Sequence, residues 1–241
     1  MSFSIKSSVV ASSLLAGSLL VTSVSAMAGE NGFYLRLDAG ASVSHANDWK
    51  SSDLSQSFDA GTTTQAVVGL GAGYRFSPLL RLDLSLSYRP ESALTHTDNG
   101  AGLLYKVKES SLRGFVTGYV DGQPLLSGVV PAAINPYVGF GVGMTRNRLA
   151  NVAVTDLTAP TFASQFTING ATRNHFAWQA VAGLGYDVTD RITLDVSYHY
   201  IDAGSVRSGG VLSGDGVSQP VDPLRTSLVT SELVTALRWR F

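Results

Sequence analysis

The sequence predicts an all-β fold, an eight-stranded antiparallel transmembrane β-barrel of up-and-down topology. Three observations carry that expectation. Several segments alternate apolar and polar residues without a break, short and long connections alternate along the chain, and no stretch after the first thirty residues is long and apolar enough for a spanning helix.

The start of the chain reads as a leader. Met1 to Lys6 is short and carries one basic side chain, and Val9 to Val24 is apolar or small without a charge. Ala26-Met27-Ala28 then offers a small-x-small cleavage pattern before Gly29. The expectation is a cleaved secretory signal peptide over 1–28 and a barrel domain over 29–241. The apolar run is too short and too rich in Ser for a membrane span.

Eight strands follow in order. The first, 33–43, sets Arg36 and Asp38 on one face, and the second, 65–76, carries Gly69, Gly71 and Gly73 at alternate positions. The third, 80–89, alternates Leu80, Leu82, Leu84, Leu86 and Tyr88 with Arg81, Asp83, Ser85, Ser87 and Arg89. The fourth, 111–121, is weaker, and the fifth, 136–145, repeats the alternate glycines at Gly139, Gly141 and Gly143. The sixth spans 175–188. The seventh, 192–200, runs Ile-Thr-Leu-Asp-Val-Ser-Tyr-His-Tyr, and the eighth, 233–241, opposes Leu233, Leu237, Trp239 and Phe241 to Val234, Ala236, Arg238 and Arg240. A soluble sandwich also alternates, but its polar face is the outside. Here the long and aromatic side chains share one face strand after strand, which suits lipid.

The connections support the same topology. Residues 77–79 and 189–191 are tight turns, whereas 44–64, 90–110, 146–174 and 202–230 are long and polar. The expected arrangement has periplasmic turns, both termini periplasmic and four long loops at the cell surface. The segment 122–135, with Pro124 and Pro131, is longer than a turn and reads as a loose turn or frayed strand ends. Phe76, Tyr186, Trp239 and Phe241 fall at the turn ends of strands, and Tyr88, Phe176, Trp178, Tyr198 and Tyr200 near the loop ends, as two interfacial belts require.

With that alternation, Arg36, Arg75, Arg81, Arg89, Arg113, Arg238 and Arg240 point inward, together with Asp38, Asp83, Asp121, Asp187, Asp195 and Glu232. An eight-stranded barrel has room for side chains rather than a wide channel, and buried ions need partners. The expectation is a structural salt-bridge network centred on Arg36, Asp38, Arg81, Asp83, Arg113, Asp195, Glu232 and Arg238. The competing reading, a selective pore lined by these charges, calls for one dominant sign, and the signs balance. The alternate glycines leave space for bulky Arg side chains opposite; no helix follows them, so they do not form a nucleotide loop.

Catalysis finds little support. Ser197 and His199 share a face with Asp195 in line, yet ordinary lumen lining explains them, and His45, His96 and His175 lack ligand-like spacing. The chain has no Cys, which removes thiolate chemistry, and its scattered charges and net charge of −1 offer nothing to nucleic acid. No catalytic, cofactor or metal site is expected.

Segments 181–191 leading into 194–202, together with Pro136-Tyr137-Val138-Gly139-Phe140-Gly141-Val142-Gly143 and Gly69-Leu70-Gly71-Ala72-Gly73-Tyr74-Arg75-Phe76, resemble the opacity-type outer-membrane β-barrel proteins. The nearest subgroup is the porin-like 25/31-kilodalton surface antigens of alphaproteobacteria. Thr117-Gly118-Tyr119-Val120-Asp121 departs from the Asn and paired aromatics common there. The resemblance implies a bacterial outer-membrane location among lipids. It also implies that Leu233, Leu237, Trp239 and Phe241 serve as a signal to the barrel assembly machinery. Three functions follow as expectations: a non-enzymatic surface protein that supports envelope integrity and displays loops, an adhesin binding a host-surface ligand, or a small-solute channel.

Overall fold

The computed structural model describes residues 32–46, 62–98, 103–156, 165–214, 217–220 and 225–241. The expected leader 1–28 and most of the expected loop 44–64 lie outside them. Eight long strands build the barrel: β1 (Gly32–Ala46), β2 (Thr62–Arg75), β3 (Leu80–Asp98), β4 (Leu103–Asp121), β5 (Ile134–Leu149), β8 (Ala171–Asp187), β9 (Ile192–Arg207) and β12 (Arg225–Arg240). Four short strands lie between them: β6 (Val152–Asp156), β7 (Gln165–Ile168), β10 (Val211–Gly214) and β11 (Val217–Pro220). Each long strand pairs antiparallel with the next, and β12 closes on β1 from Tyr34↔Arg240 to Ala46↔Leu228. Closure leaves the barrel wall without an edge, the state a lipid environment demands.

The two faces of the wall are inverted relative to a soluble protein. Leu35, Leu37, Leu82, Leu84, Leu86, Val116, Phe140, Val196 and Leu237 are exposed, while Arg36, Arg81, Asp83, Arg113 and Glu232 are buried. The period-two pattern dictates this: every second side chain points out, and the outward set is the apolar one. Rings cluster on the outer face at the turn end, where Phe33 meets Tyr74 at 4.8 Å and Trp239 stacks on Phe241 at 5.8 Å. Nearer the loop end, Trp178 lies 6.0 Å from Phe140 and 5.7 Å from Tyr200.

The strands run further than the alternation suggested. β3 and β4 stay paired to Asp98↔Leu103, through most of the segment 90–110 expected to be a loop. A register shift between Arg89 and Ser92 marks the crossing. Pro90 has no N–H to give the ladder, and a bulge absorbs the interruption instead of ending the strand.

The segment 122–135 is a compact turn rather than frayed ends. Leu125 and Leu126 donate to the Gly122 carbonyl at 3.0 Å, Val130 donates to Leu126, and the Gln123 N–H donates to Asn135 Oδ1 at 3.1 Å. The prolines sit where no ladder N–H is needed.

The short strands organise the loop end. β4 parts from β5 at Glu109↔Leu149, and its upper portion pairs with β6 from Lys106↔Ala153 to Leu103↔Asp156. β7 pairs with β6, β10 with β7 through Leu212↔Ile168 and Ser213↔Thr167, and β11 with β10. Hairpins inside 146–174 and 202–230 therefore join in one sheet that continues β4 beyond the barrel.

Candidate functional site

The lumen is built from inward side chains on all eight walls. Toward the turn end, Asp121 takes Arg75 at 2.9 Å and Arg81 at 3.0 Å. The Arg81 guanidinium lies between two rings, 4.2 Å from the centre of Tyr119 and 4.4 Å from that of Tyr137. A delocalised cation suits such a slot, because both ring faces attract it while its edge serves the carboxylate. Arg36 bonds Asp38 at 2.9 Å and reaches across β2 to Asp83 at 2.8 Å, and it also donates to the Tyr119 hydroxyl. Arg238 pairs with Asp195 at 3.1 Å and lies over Tyr34. Arg240 and Asp187 close the mouth at 3.0 Å beside a cavity of about 230 Å³, lined by Arg75, Gln123, Asn135 and others.

Higher in the barrel, Arg113 donates to Glu232 at 2.5 Å and to Thr230 at 3.3 Å. Arg89 is held by Ser44 at 2.6 Å and lies 3.9 Å from Glu109. Gln179 donates to Thr117 across β5 at 2.7 Å, and Thr145 and Asn147 both donate to the Ala203 carbonyl across β8. Around these bonds lies an apolar cluster of Phe115, Leu149, Val152, Ala177, Ile201, Ala203 and Leu228, with Ile168 packed against it. The lumen thus has ionic rungs toward the turn end and an apolar stopper toward the loop end.

All eight residues expected in the network lie in the lumen. They form Arg36–Asp38, Arg36–Asp83, Arg113–Glu232 and Arg238–Asp195, while the partner of Arg81 is Asp121. Sequence reasoning placed the aromatic residues outside and so missed Tyr34, Phe115, Tyr119 and Tyr137, all buried inside. The signal was present: Tyr34 shares strand parity with Arg36, and Phe115 and Tyr119 with Arg113, while Tyr137 shares it with the polar Asn135 and Thr145.

These rings also revise the role of the alternate glycines. A Cβ at Gly73 would strike the Tyr34 ring and one at Gly139 the Tyr119 ring, so these positions clear space for tyrosines. A Cβ at Gly71 would lie 3.6 Å from Arg36 and one at Gly185 3.2 Å from Arg238, so these two do leave room for arginines.

The Ser197 hydroxyl and His199 Nε2 lie 2.9 Å apart, both buried. Asp195 is held by Arg238 rather than stationed behind the imidazole. Among the described residues no group of His, Asp or Glu has the arrangement of a metal site. Of the four residues expected in the assembly signal, Leu233, Leu237 and Trp239 face outward and exposed, and Phe241 donates its N–H to the Phe33 carbonyl at 3.2 Å.

Comparison with known proteins agrees with this architecture. The chain is 33% identical over 152 residues to the outer membrane protein PagN of Salmonella typhimurium, covering 57% of each chain. It is 24% identical over 203 residues to a candidate adhesin of Rickettsia massiliae, covering 81% of this chain and 83% of that one. An uncharacterised protein of Brucella abortus is 28% identical over 151 residues, 56% of this chain and 51% of that one. The chain spans about half the length of such Brucella relatives. Among solved structures, Neisserial surface protein A aligns with a TM-score of 0.49 at 16% identity, over 90% of this chain and all of that one. The outer membrane protein beta-barrel domain matches residues 14–228, and the chain belongs to that family of bacterial outer-membrane barrels.

Proposed function

We propose that this protein is a sealed, non-enzymatic outer-membrane scaffold whose loop end faces outward and presents an adhesive surface to a host-surface ligand. The observation that carries the reading is the sheet β4–β6–β7–β10–β11, which ties two long connections into one platform beyond the barrel. Loops that only covered a barrel mouth would have no need of a shared ladder. A rigid scaffold holding a defined surface is the usual architecture of recognition. The name of the Rickettsia relative favours the same direction.

In this reading the short turns and both termini are periplasmic. The network of Arg36, Asp38, Arg81, Asp83, Arg113, Asp195, Glu232 and Arg238 acts as a structural plug, and the stopper around Phe115 and Ile201 disfavours the channel reading. Ser197 and His199 line the plug rather than form a reactive centre. The outward face of β12, with Leu233, Leu237, Trp239 and Phe241, serves the barrel assembly machinery during insertion. Support of envelope integrity is a second role that a sealed lumen allows, and a deletion strain with unchanged detergent sensitivity removes it.

The test is adherence. A non-adherent Gram-negative host expressing the chain gains attachment to epithelial cells or extracellular matrix. Replacing the hairpins within 152–168 and 211–220 by short Gly-Ser turns abolishes it while heat-modifiable migration persists. Equal attachment by both versions overturns the reading.

A further inference from the structure

On the outer wall of β4, β5 and β8, the apolar band ends at a sharp boundary. Leu112, Met144 and Phe176 form its last row, all exposed, with Met144 directly opposite Phe176. The next outward residue on β5 is Arg146, opposite Leu112 and Asn174, and the one after it is Arg148, opposite Ser110 and Thr172. On β4 the same row continues to Lys108, diagonal to Arg148, and then to Lys106. Each such step rises by about 7 Å along a strand, so Arg146 and Arg148 stand one and two steps beyond Met144, and Lys108 and Lys106 two and three steps beyond Leu112.

All four are exposed. Of these four, only Lys108 has an ion-pair partner among the described residues, Glu91 at 4.0 Å, itself exposed. Like charges on neighbouring rungs repel, and among the described residues Glu91 beside Lys108 offsets one of the four. At the opposite rim the outward charges of the described turn 188–191 are Asp190 and Arg191, side by side and of opposite sign. The basic strip thus belongs to the loop end alone, at the height where lipid headgroups begin. Its chemistry fits phosphate: two arginines able to fork onto phosphate oxygens, two flexible ammonium groups, and hydroxyl and amide neighbours in Thr172 and Asn174.

We propose that Lys106, Lys108, Arg146 and Arg148 form a binding strip for the phosphate groups of a phosphorylated glycolipid of the outer leaflet, the lipid A moiety of lipopolysaccharide. The acyl chains lie against Leu112, Met144 and Phe176 while the phosphates meet the cations. The proposal rests on the outward orientation of the loop end given above.

The experiment uses the full chain folded in phosphatidylcholine vesicles containing equal mole fractions of bisphosphorylated lipid A and its dephosphorylated counterpart. Native mass spectrometry of the released protein counts which lipid stays bound. The expected result is preferential retention of the phosphorylated form, reduced at least about tenfold by the combined K106Q, K108Q, R146Q and R148Q variant. Placing R146K and R148K in the variant instead of R146Q and R148Q recovers part of the preference, and heat-modifiable migration verifies folding of every variant. Free inorganic phosphate at matched concentration leaves retention unchanged, which separates a lipid site from a phosphate site.

Equal retention of both lipids, equal behaviour of the wild type and the quadruple variant, or displacement by free phosphate overturns the proposal. So does binding of a sulfated polysaccharide through the same four residues without any lipid A preference. Labelling of S218C by a membrane-impermeant maleimide on intact cells tests the orientation separately. Labelling without lipid preference defeats the strip alone, and absence of labelling, with D190C labelled instead, defeats the orientation on which it rests.

Discussion

Arg113 on β4 and Glu232 on β12 stand on diametrically opposite walls of the eight-stranded barrel, 119 residues apart in sequence, and meet at 2.5 Å. Both are buried, and one guanidinium therefore spans the lumen from wall to wall. Removing the carboxylate strands a buried cation, which costs far more than the pair gains over an apolar substitute. Glu232→Leu is expected to destabilise the folded barrel by about 3–5 kcal/mol in urea titrations followed by Trp fluorescence in vesicles. The double variant Arg113→Met with Glu232→Leu is expected to recover most of that loss; a double variant no better than the single one refutes the assignment.

Arg81 depends on its two rings as well as on Asp121. Replacing Tyr119 by Leu removes one face of the slot and the hydroxyl that Arg36 donates to. The expected loss is about 2 kcal/mol beyond what Tyr119→Phe produces, since Phe keeps the ring and loses only the hydroxyl. Equal losses for the two variants, measured by the same urea titration, contradict a cation–ring contribution.

Two glycines separate space from sequence pattern. A Cβ at Gly143 would collide with the Gly114 carbonyl on the neighbouring strand, where the ladder cannot give way cheaply, whereas a Cβ at Gly118 meets nothing. Gly143→Ala is expected to cost about 1–3 kcal/mol and Gly118→Ala to stay within about 0.5 kcal/mol. Indistinguishable midpoints contradict the close approach of β4 and β5.

The lipid-facing wall makes its own prediction. Leu84 is 64% exposed near the middle of the apolar row of β3. Leu84→Arg is expected to lower stability in a bilayer by about 2–4 kcal/mol, the cost of a cation at the midplane. A variant as stable as the parent in vesicles rules out Leu84 as a lipid-facing residue.

The barrel was legible because its information is local. Leu80 to Arg89 and Ile192 to Tyr200 state their two faces residue by residue, and the alternation of short and long links orders the strands. The inward charges were legible for the same reason, but their partners were not: nothing along the chain says that Arg81 meets Asp121 rather than Asp83. The inward tyrosines escaped notice because an aromatic ring suits lipid and lumen equally, and only parity with inward polar residues, Arg36 for Tyr34, Arg113 for Tyr119 and Asn135 for Tyr137, separates the two. The loop platform was invisible because β7 and β10 meet through two rungs, Leu212↔Ile168 and Ser213↔Thr167, between segments whose composition is that of any polar loop. Pro90 misled in the opposite sense, since a proline that ends a central ladder only bulges one that continues on the far side.

Single-channel conductance of the refolded protein in a planar bilayer tests the central claim, a barrel sealed by its ionic rungs and apolar stopper, most directly. Protein shown to be folded by heat-modifiable migration is expected to insert without conducting, and to stay silent when Arg81 or Asp83 is neutralised. Reproducible current steps from the wild type, altered by those substitutions, would contradict the sealed lumen and return these charges to the role of a filter.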